Sequence, residues 1–189
     1  MKGLHDNHSD LYFIALIPHR SLREEIREIK ERVHDDFGAG HALKSPAHIT
    51  LQIPFKRIST DESRLAEALR RFAASEHPFT VYLNGYGAFA PRVIIIKIVE
   101  HGPVAELHSR LKKVLLEDLH FHQDEVMKSV QPHITVATRD LTEAAFSEAW
   151  TAFKEEEFSA SFDAESIFLL KHNGRSWDIL EEFPFRDNG

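Results

Sequence analysis

A β-strand turns alternate side chains to opposite faces, so a short motif carried on two strands repeats a surface as well as a sequence. The pattern His-x-Thr-apolar occurs twice in this 189-residue chain, as His48-Ile49-Thr50-Leu51 and His133-Ile134-Thr135-Val136. Pro46 stands two residues before the first histidine and Pro132 directly before the second. Both copies lie in apolar, β-branched runs and read as strands. His48 and Thr50 then share one face, and Ile49, Leu51 and Ile53 take the other. His133 and Thr135 are paired in the same way, with Ile134 and Val136 behind them. The copies are 85 positions apart, nearly half the chain, which indicates an internal duplication.

The elements around the motifs repeat too. Residues 11–18 form an apolar run that ends at proline, read as a strand. Leu22, Ile26, Ile29 and Val33 recur at helical spacing after a Ser21-x-x-Glu24 capping box, and Gly38 and Gly40 close that helix. The first motif strand runs over about 47–55. A second capping box, Ser59 to Glu62, opens a helix striped by Leu65, Leu69 and Phe72. Residues 79–83 and 92–100 read as strands; the second is apolar on both parities and is expected to be central in its sheet. Val104, Leu107, Leu111, Val114 and Leu115 mark a helix before the second motif strand, and Phe146, Trp150 and Phe153 mark another starting near Thr142. Residues 158–163 and 166–172 are extended, and Asn173-Gly174 reads as a two-residue hairpin turn into a last strand over 176–185. The expected fold is α+β: one two-lobed domain over 1–189 with residues 1–10 flexible, two antiparallel sheets, outer helices, and a central cleft carrying both motifs.

Composition narrows the chemistry. There is no cysteine, hence no disulfide frame and no thiolate nucleophile. No apolar run approaches the roughly 20 residues that span a bilayer, and the polar N-terminus lacks an apolar signal core. The expectation is a cytoplasmic monomer with no membrane contact. A formal charge of −7 disfavours sequence-independent grip on a long duplex, whereas a small nucleotide or an RNA terminus needs only a few local cations.

Histidine titrates near neutrality and serves as acid or base. Two imidazoles on opposite sides of a phosphodiester can take a proton from the attacking oxygen and give one to the leaving oxygen, each contributing about 10²–10⁴-fold. The Thr50 and Thr135 hydroxyls can donate to the non-bridging oxygens. This scheme needs no metal and no cofactor.

The two motifs resemble those of the two-histidine (2H) phosphoesterase superfamily, in particular its 2′-5′ RNA ligase and cyclic phosphodiesterase branch. The stretch from Gly87 to Val93 is similar to the family's glycine–phenylalanine segment leading into its central strand. The resemblance implies a metal-independent phosphodiesterase acting on 2′,3′-cyclic or related nucleotide phosphodiesters, with some members joining or opening 2′-5′ RNA linkages. It implies His48 and His133 as the acid–base pair, with Thr50 and Thr135 binding phosphate. The alternative is a non-catalytic module that binds a nucleotide or RNA end on the same fold.

Other residues are candidates for the cleft. Many relatives carry an arginine soon after the second motif; here Arg139 comes one residue later than usual, and a regular strand would put it on the His133 face. Lys44 and Arg92 can supply positive potential at the cleft mouth. Phe89 reads as a base-stacking ring or as core, Gln52 as pocket lining or as satisfied by a neighbouring strand. Tyr12 and Trp177 read as wall or core. His120-x-His122-x-Asp124 and the His5/His8 pair invite a metal reading, set against ordinary solvated histidines.

Overall fold

The computed structural model describes residues 9–186; His5 and His8 lie outside them. Eight strands and four helices alternate in the order β1 (Ser9–Leu16), α1 (Arg20–Phe37), β2 (Ile49–Ile58), α2 (Glu62–Ala73), β3 (Phe79–Phe89), β4 (Val93–Ile98), α3 (Gly102–Glu117), β5 (His133–Ala137), α4 (Glu143–Phe153), β6 (Ser159–Ala164), β7 (Ser166–His172) and β8 (Trp177–Pro184). They form two four-stranded sheets, β2-β1-β7-β8 and β5-β4-β3-β6. Every neighbouring pair is antiparallel.

β4 supplies the opening strand of the second repeat, which is hard to place by sequence. The repeated unit is strand, helix, edge strand: β1-α1-β2 in one sheet and β4-α3-β5 in the other. The sheets do not coincide with the halves of the chain, because β7 and β8 return to the first sheet. β4 lies between β3 and β5, as its double-sided apolarity indicates.

The alternation of β1 explains the layering. Tyr12, Ile14 and Leu16 join the main core, to which the apolar stripes of all four helices contribute. Phe13, Ala15 and Ile17 instead form a small cluster with Leu170 on the opposite face. A strand buried on both faces carries apolar residues at both parities. The second face is the wall of the cleft.

Several local expectations differ from the structure. β1 opens at Ser9, within the stretch expected to be flexible, and Asp10 is held there by a 2.9 Å ion pair with Lys171. Neither capping box forms. His19 caps α1, its Nδ1 accepting from the Leu22 amide, and Glu24 pairs instead with Arg20. Glu62 accepts from the Tyr12 hydroxyl and Lys171 Nζ, each at 2.8 Å, so tertiary partners claim its carboxylate. Tyr12 is therefore core rather than cleft wall, with its hydroxyl pushed up to about 12 by burial and by the Glu62 carboxylate. The β7–β8 hairpin does form, but His172 pairs with Trp177 across a four-residue loop in which Asn173 Oδ1 accepts from the Arg175 and Ser176 amides. His120 and His122 lie in an exposed loop after α3.

Candidate active site

Both motif strands lie at a sheet edge, and both contain the same irregularity. In the first sheet Ala15 pairs with Thr50 but Ile14 pairs with Gln52, which leaves Leu51 as an extra residue. In the second sheet Ile95 pairs with Thr135 but Ile94 pairs with Ala137, which leaves Val136 extra. Each β-bulge falls directly after the threonine. A bulge puts two residues opposite one and re-aims the strand beyond it. Leu51 and Val136 both stay in the core.

The bulge decides where Gln52 goes. A regular strand would put it on the Thr50 face. Here it pairs with core-facing Ile14 and is 1% exposed, its Nε2 donating to the Glu125 carbonyl and its Oε1 accepting from the Met127 amide. Ile53 is correspondingly turned outward, 46% exposed, rather than joining Ile49 and Leu51.

A cavity of about 210 Å³ opens between the sheets. His48, Thr50 and Lys44 line it from one side and Thr135, Thr138 and Arg139 from the other, with His41, Phe13 and Trp177 in its walls. Two cations reach this cavity and no carboxylate lines it, although the chain as a whole is acidic. Arg139 arrives by an unexpected route. β5 ends at Ala137, and Arg139 adopts a left-handed backbone (φ 55°) in the turn that follows. Asp140 then caps the short 3₁₀ turn His41–Lys44, accepting from the Gly40 and His41 amides at 3.0 and 2.8 Å. The two loops that carry the cavity's cations are thereby tied together.

The two motif histidines are held in the same way. His48 Nδ1 lies 2.7 Å from the Pro46 carbonyl and His133 Nδ1 lies 2.7 Å from the Gln131 carbonyl. A carbonyl only accepts, so each Nδ1 carries the proton, and Nε2 is the basic atom in each neutral ring. The upstream residue that provides the lock is two positions back in both copies. Phe13 packs on the His48 ring at 4.8 Å and Phe89 meets the His133 ring edge-on at 5.1 Å. Phe89 and His133 both lie outside the cavity's lining, so Phe89 supports a motif histidine there, and His48 is the motif ring that faces the cavity.

Electrostatics bind the site together. Burial pushes His48 down to about 4, with the charges of Lys30 and His133 adding to the effect and the Pro46 carbonyl opposing it. His133 is lowered by burial too, against the Gln131 carbonyl. His41 is lowered by burial and by Arg139 and Lys44. Burial therefore favours the neutral form of both motif rings.

Sequence reasoning missed Lys30. It is 2% exposed, and its ammonium donates to the Ala42 and Ser45 carbonyls at 3.0 and 3.1 Å, below the loop that leads into His48. Burial brings it down to about 8. The signal was present: Lys30 stands four residues after Ile26, on the inward stripe of α1. His41 had no distinguishing signal among thirteen histidines. Trp177 lies in the cavity wall, edge-on to Phe13 at 4.6 Å. Arg92 is exposed beside Glu143, away from the cavity.

The model of the 2′-5′ RNA ligase superfamily matches residues 18–176, most of the chain and both motifs. The chain belongs to the 2′-5′ RNA ligase superfamily. Among its relatives, an inferred phosphoesterase of Oceanobacillus iheyensis is 25% identical over 175 residues, covering 91% of this chain and 96% of that protein. The fold of this superfamily member is shared with TT0787 of Thermus thermophilus, at a TM-score of 0.66 and 23% identity, covering 95% of this chain and all of that one. It is shared equally with Escherichia coli LigT complexed with 3′-AMP, at a TM-score of 0.65 and 19% identity, covering 95% and 100%.

Proposed function

We propose that this superfamily member is a metal-independent phosphodiesterase that opens a 2′,3′-cyclic or related nucleotide or RNA-end phosphodiester, with His48 and His133 as its acid–base pair. The observation that carries the reading is the matched locking of the two rings through Nδ1. Each ring then offers Nε2 for proton transfer, and the His133 charge is among those that act on His48. With one ring neutral and one protonated, one removes the proton of the attacking water or hydroxyl. The other protonates the ribose oxygen that leaves phosphorus; a 5′-hydroxyl in place of water forms a 2′-5′ bond with the same roles, and the roles reverse when such a bond is cleaved.

The remaining candidates have roles in this scheme. Thr50 and Thr135 donate to the non-bridging oxygens as charge builds there. Lys44 and Arg139 attract the anion. Phe89 and Phe13 hold the rings. The phosphoesterase name of the Oceanobacillus relative and the 3′-AMP complex of LigT support a nucleotide phosphodiester as substrate. The protein is proposed to act as a two-lobed cytoplasmic monomer.

Turnover of 2′,3′-cyclic nucleotides and 2′-5′-linked dinucleotides, measured on chelator-treated wild type and on His48→Ala and His133→Ala, tests the reading. Activity that survives chelation and disappears in each variant supports it. Full activity in either variant, or dependence on added metal, overturns it.

A further inference from the structure

A second groove, of about 640 Å³, opens beside the motif cavity and shares Lys44, Ser45 and Trp177 with it. Arg20, Arg23, Arg27, Lys30 and Lys44 reach this groove, against the carboxylates of Glu24 and Asp178 only. That excess of positive charge sits on a chain whose formal charge is −7. Helix α1 builds it. Positions 20, 23 and 27 fall on one helical face, so the three arginines line the groove together.

The cations are available to an anion. Arg20 and Arg27 make surface pairs with the glutamates four residues on, at 2.7 and 2.8 Å. Such exposed pairs hold their partners weakly. Arg23 and Lys44 make no ion pair among the described residues. Lys30 anchors the shared loop from below through the Ser45 carbonyl.

We propose that this groove holds a second phosphate of the substrate, one nucleotide along from the phosphodiester in the motif cavity. The preferred substrate is then an oligonucleotide end rather than a mononucleotide. Arg23 and Arg27 are the binding groups of the groove, and Lys44 stands where the two phosphates' sites meet. This rests on the motif cavity taking a nucleotide phosphate.

The test compares binding of a 3′-phosphorylated RNA trinucleotide with that of a 3′-mononucleotide, by calorimetry at several salt concentrations. Wild type is expected to bind the trinucleotide at least about tenfold more tightly at low salt, with log K falling more steeply against log salt by about 0.7 for each added phosphate contact. The Arg23→Glu/Arg27→Glu double variant is expected to lose that preference while keeping its mononucleotide affinity, which also reports an intact fold. Equal affinities in wild type, a preference that survives in the variant, or equal losses on both ligands would overturn the groove. Turnover separates this from the catalytic reading. A protein that shows the preference but cleaves nothing keeps the groove and loses the catalysis; one that cleaves without the preference loses only the groove.

Discussion

Thr50 and Thr135 stand one residue before matching β-bulges in different sheets and line a single cavity. Alternation alone sets both threonines opposite the core-facing Leu51 and Val136, and each bulge turns the residue that follows, Gln52 or Ala137, inward.

Thr50→Val and Thr135→Val keep shape and remove the donor. Each is expected to lower kcat by about 10²-fold, the cost of one donor to a developing oxyanion. KM should change less. Steady-state kinetics on a 2′,3′-cyclic nucleotide measures both, and a change confined to KM would assign the hydroxyls to ground-state binding instead.

The pH profile follows from two depressed histidines. The base must be neutral, so activity falls as pH drops through its pKa. The acid must be protonated, so activity falls as pH rises through its own. Burial lowers both rings, so both limbs of the kcat/KM bell should lie below the ordinary histidine value of about 6.5, whichever ring is the base. A bound phosphate anion favours imidazolium, so the kcat profile should be displaced to higher pH. A kcat/KM that keeps rising beyond pH 7 would contradict the pairing.

Acid stability carries the same signature. His48 is lowered to about 4 in the folded protein, so the unfolded chain binds more protons between about 6.5 and 4. Stability is full above the unfolded value and declines as pH falls through that window, by at most about 3 kcal/mol from this residue. Urea unfolding at pH 7 and pH 4 should show a smaller difference in His48→Gln than in wild type. An unchanged difference would mean that the His48 ring is not held neutral by the fold.

Lys30→Met removes a buried ammonium and leaves the Ala42 and Ser45 carbonyls without their donor. The relief of burying no charge offsets much of that loss, so stability should move little. The loop into His48 loses its anchor, and misplacing catalytic groups by about an ångström can cost around 10²-fold in rate. The Lys30 charge also depresses His48, so the acid limb of kcat/KM should move to higher pH in the variant. A pH-rate profile that keeps its limbs would reduce Lys30 to a structural strut.

Much of this molecule was legible in its residues. Apolar runs located the described strands, although β3 continues past its expected end at Leu83 to Phe89, through residues that read as a turn, and the 3.6-period stripes located the four described helices. The doubled motif indicated the family, and the match over residues 18–176 agrees with it. Capping boxes misled at Ser21 and Ser59, because Arg20, Tyr12 and Lys171 compete for the same glutamates from outside the local window. An unbroken alternation misplaces Gln52, because β2 bulges after Thr50, whereas Arg139 does reach the cavity, from the turn that follows β5.

Local periodicity determined which residues face together wherever an element stays regular, since side-chain direction along a strand or helix is a property of the backbone repeat. Tertiary structure alone decided the bulges after Thr50 and Thr135, the return of β7 and β8 to the first sheet, and the Lys30 anchor beneath the His41–Lys44 turn. Each of these depends on pairing between segments distant in the chain, where buried polar groups must find partners that no short stretch of sequence contains.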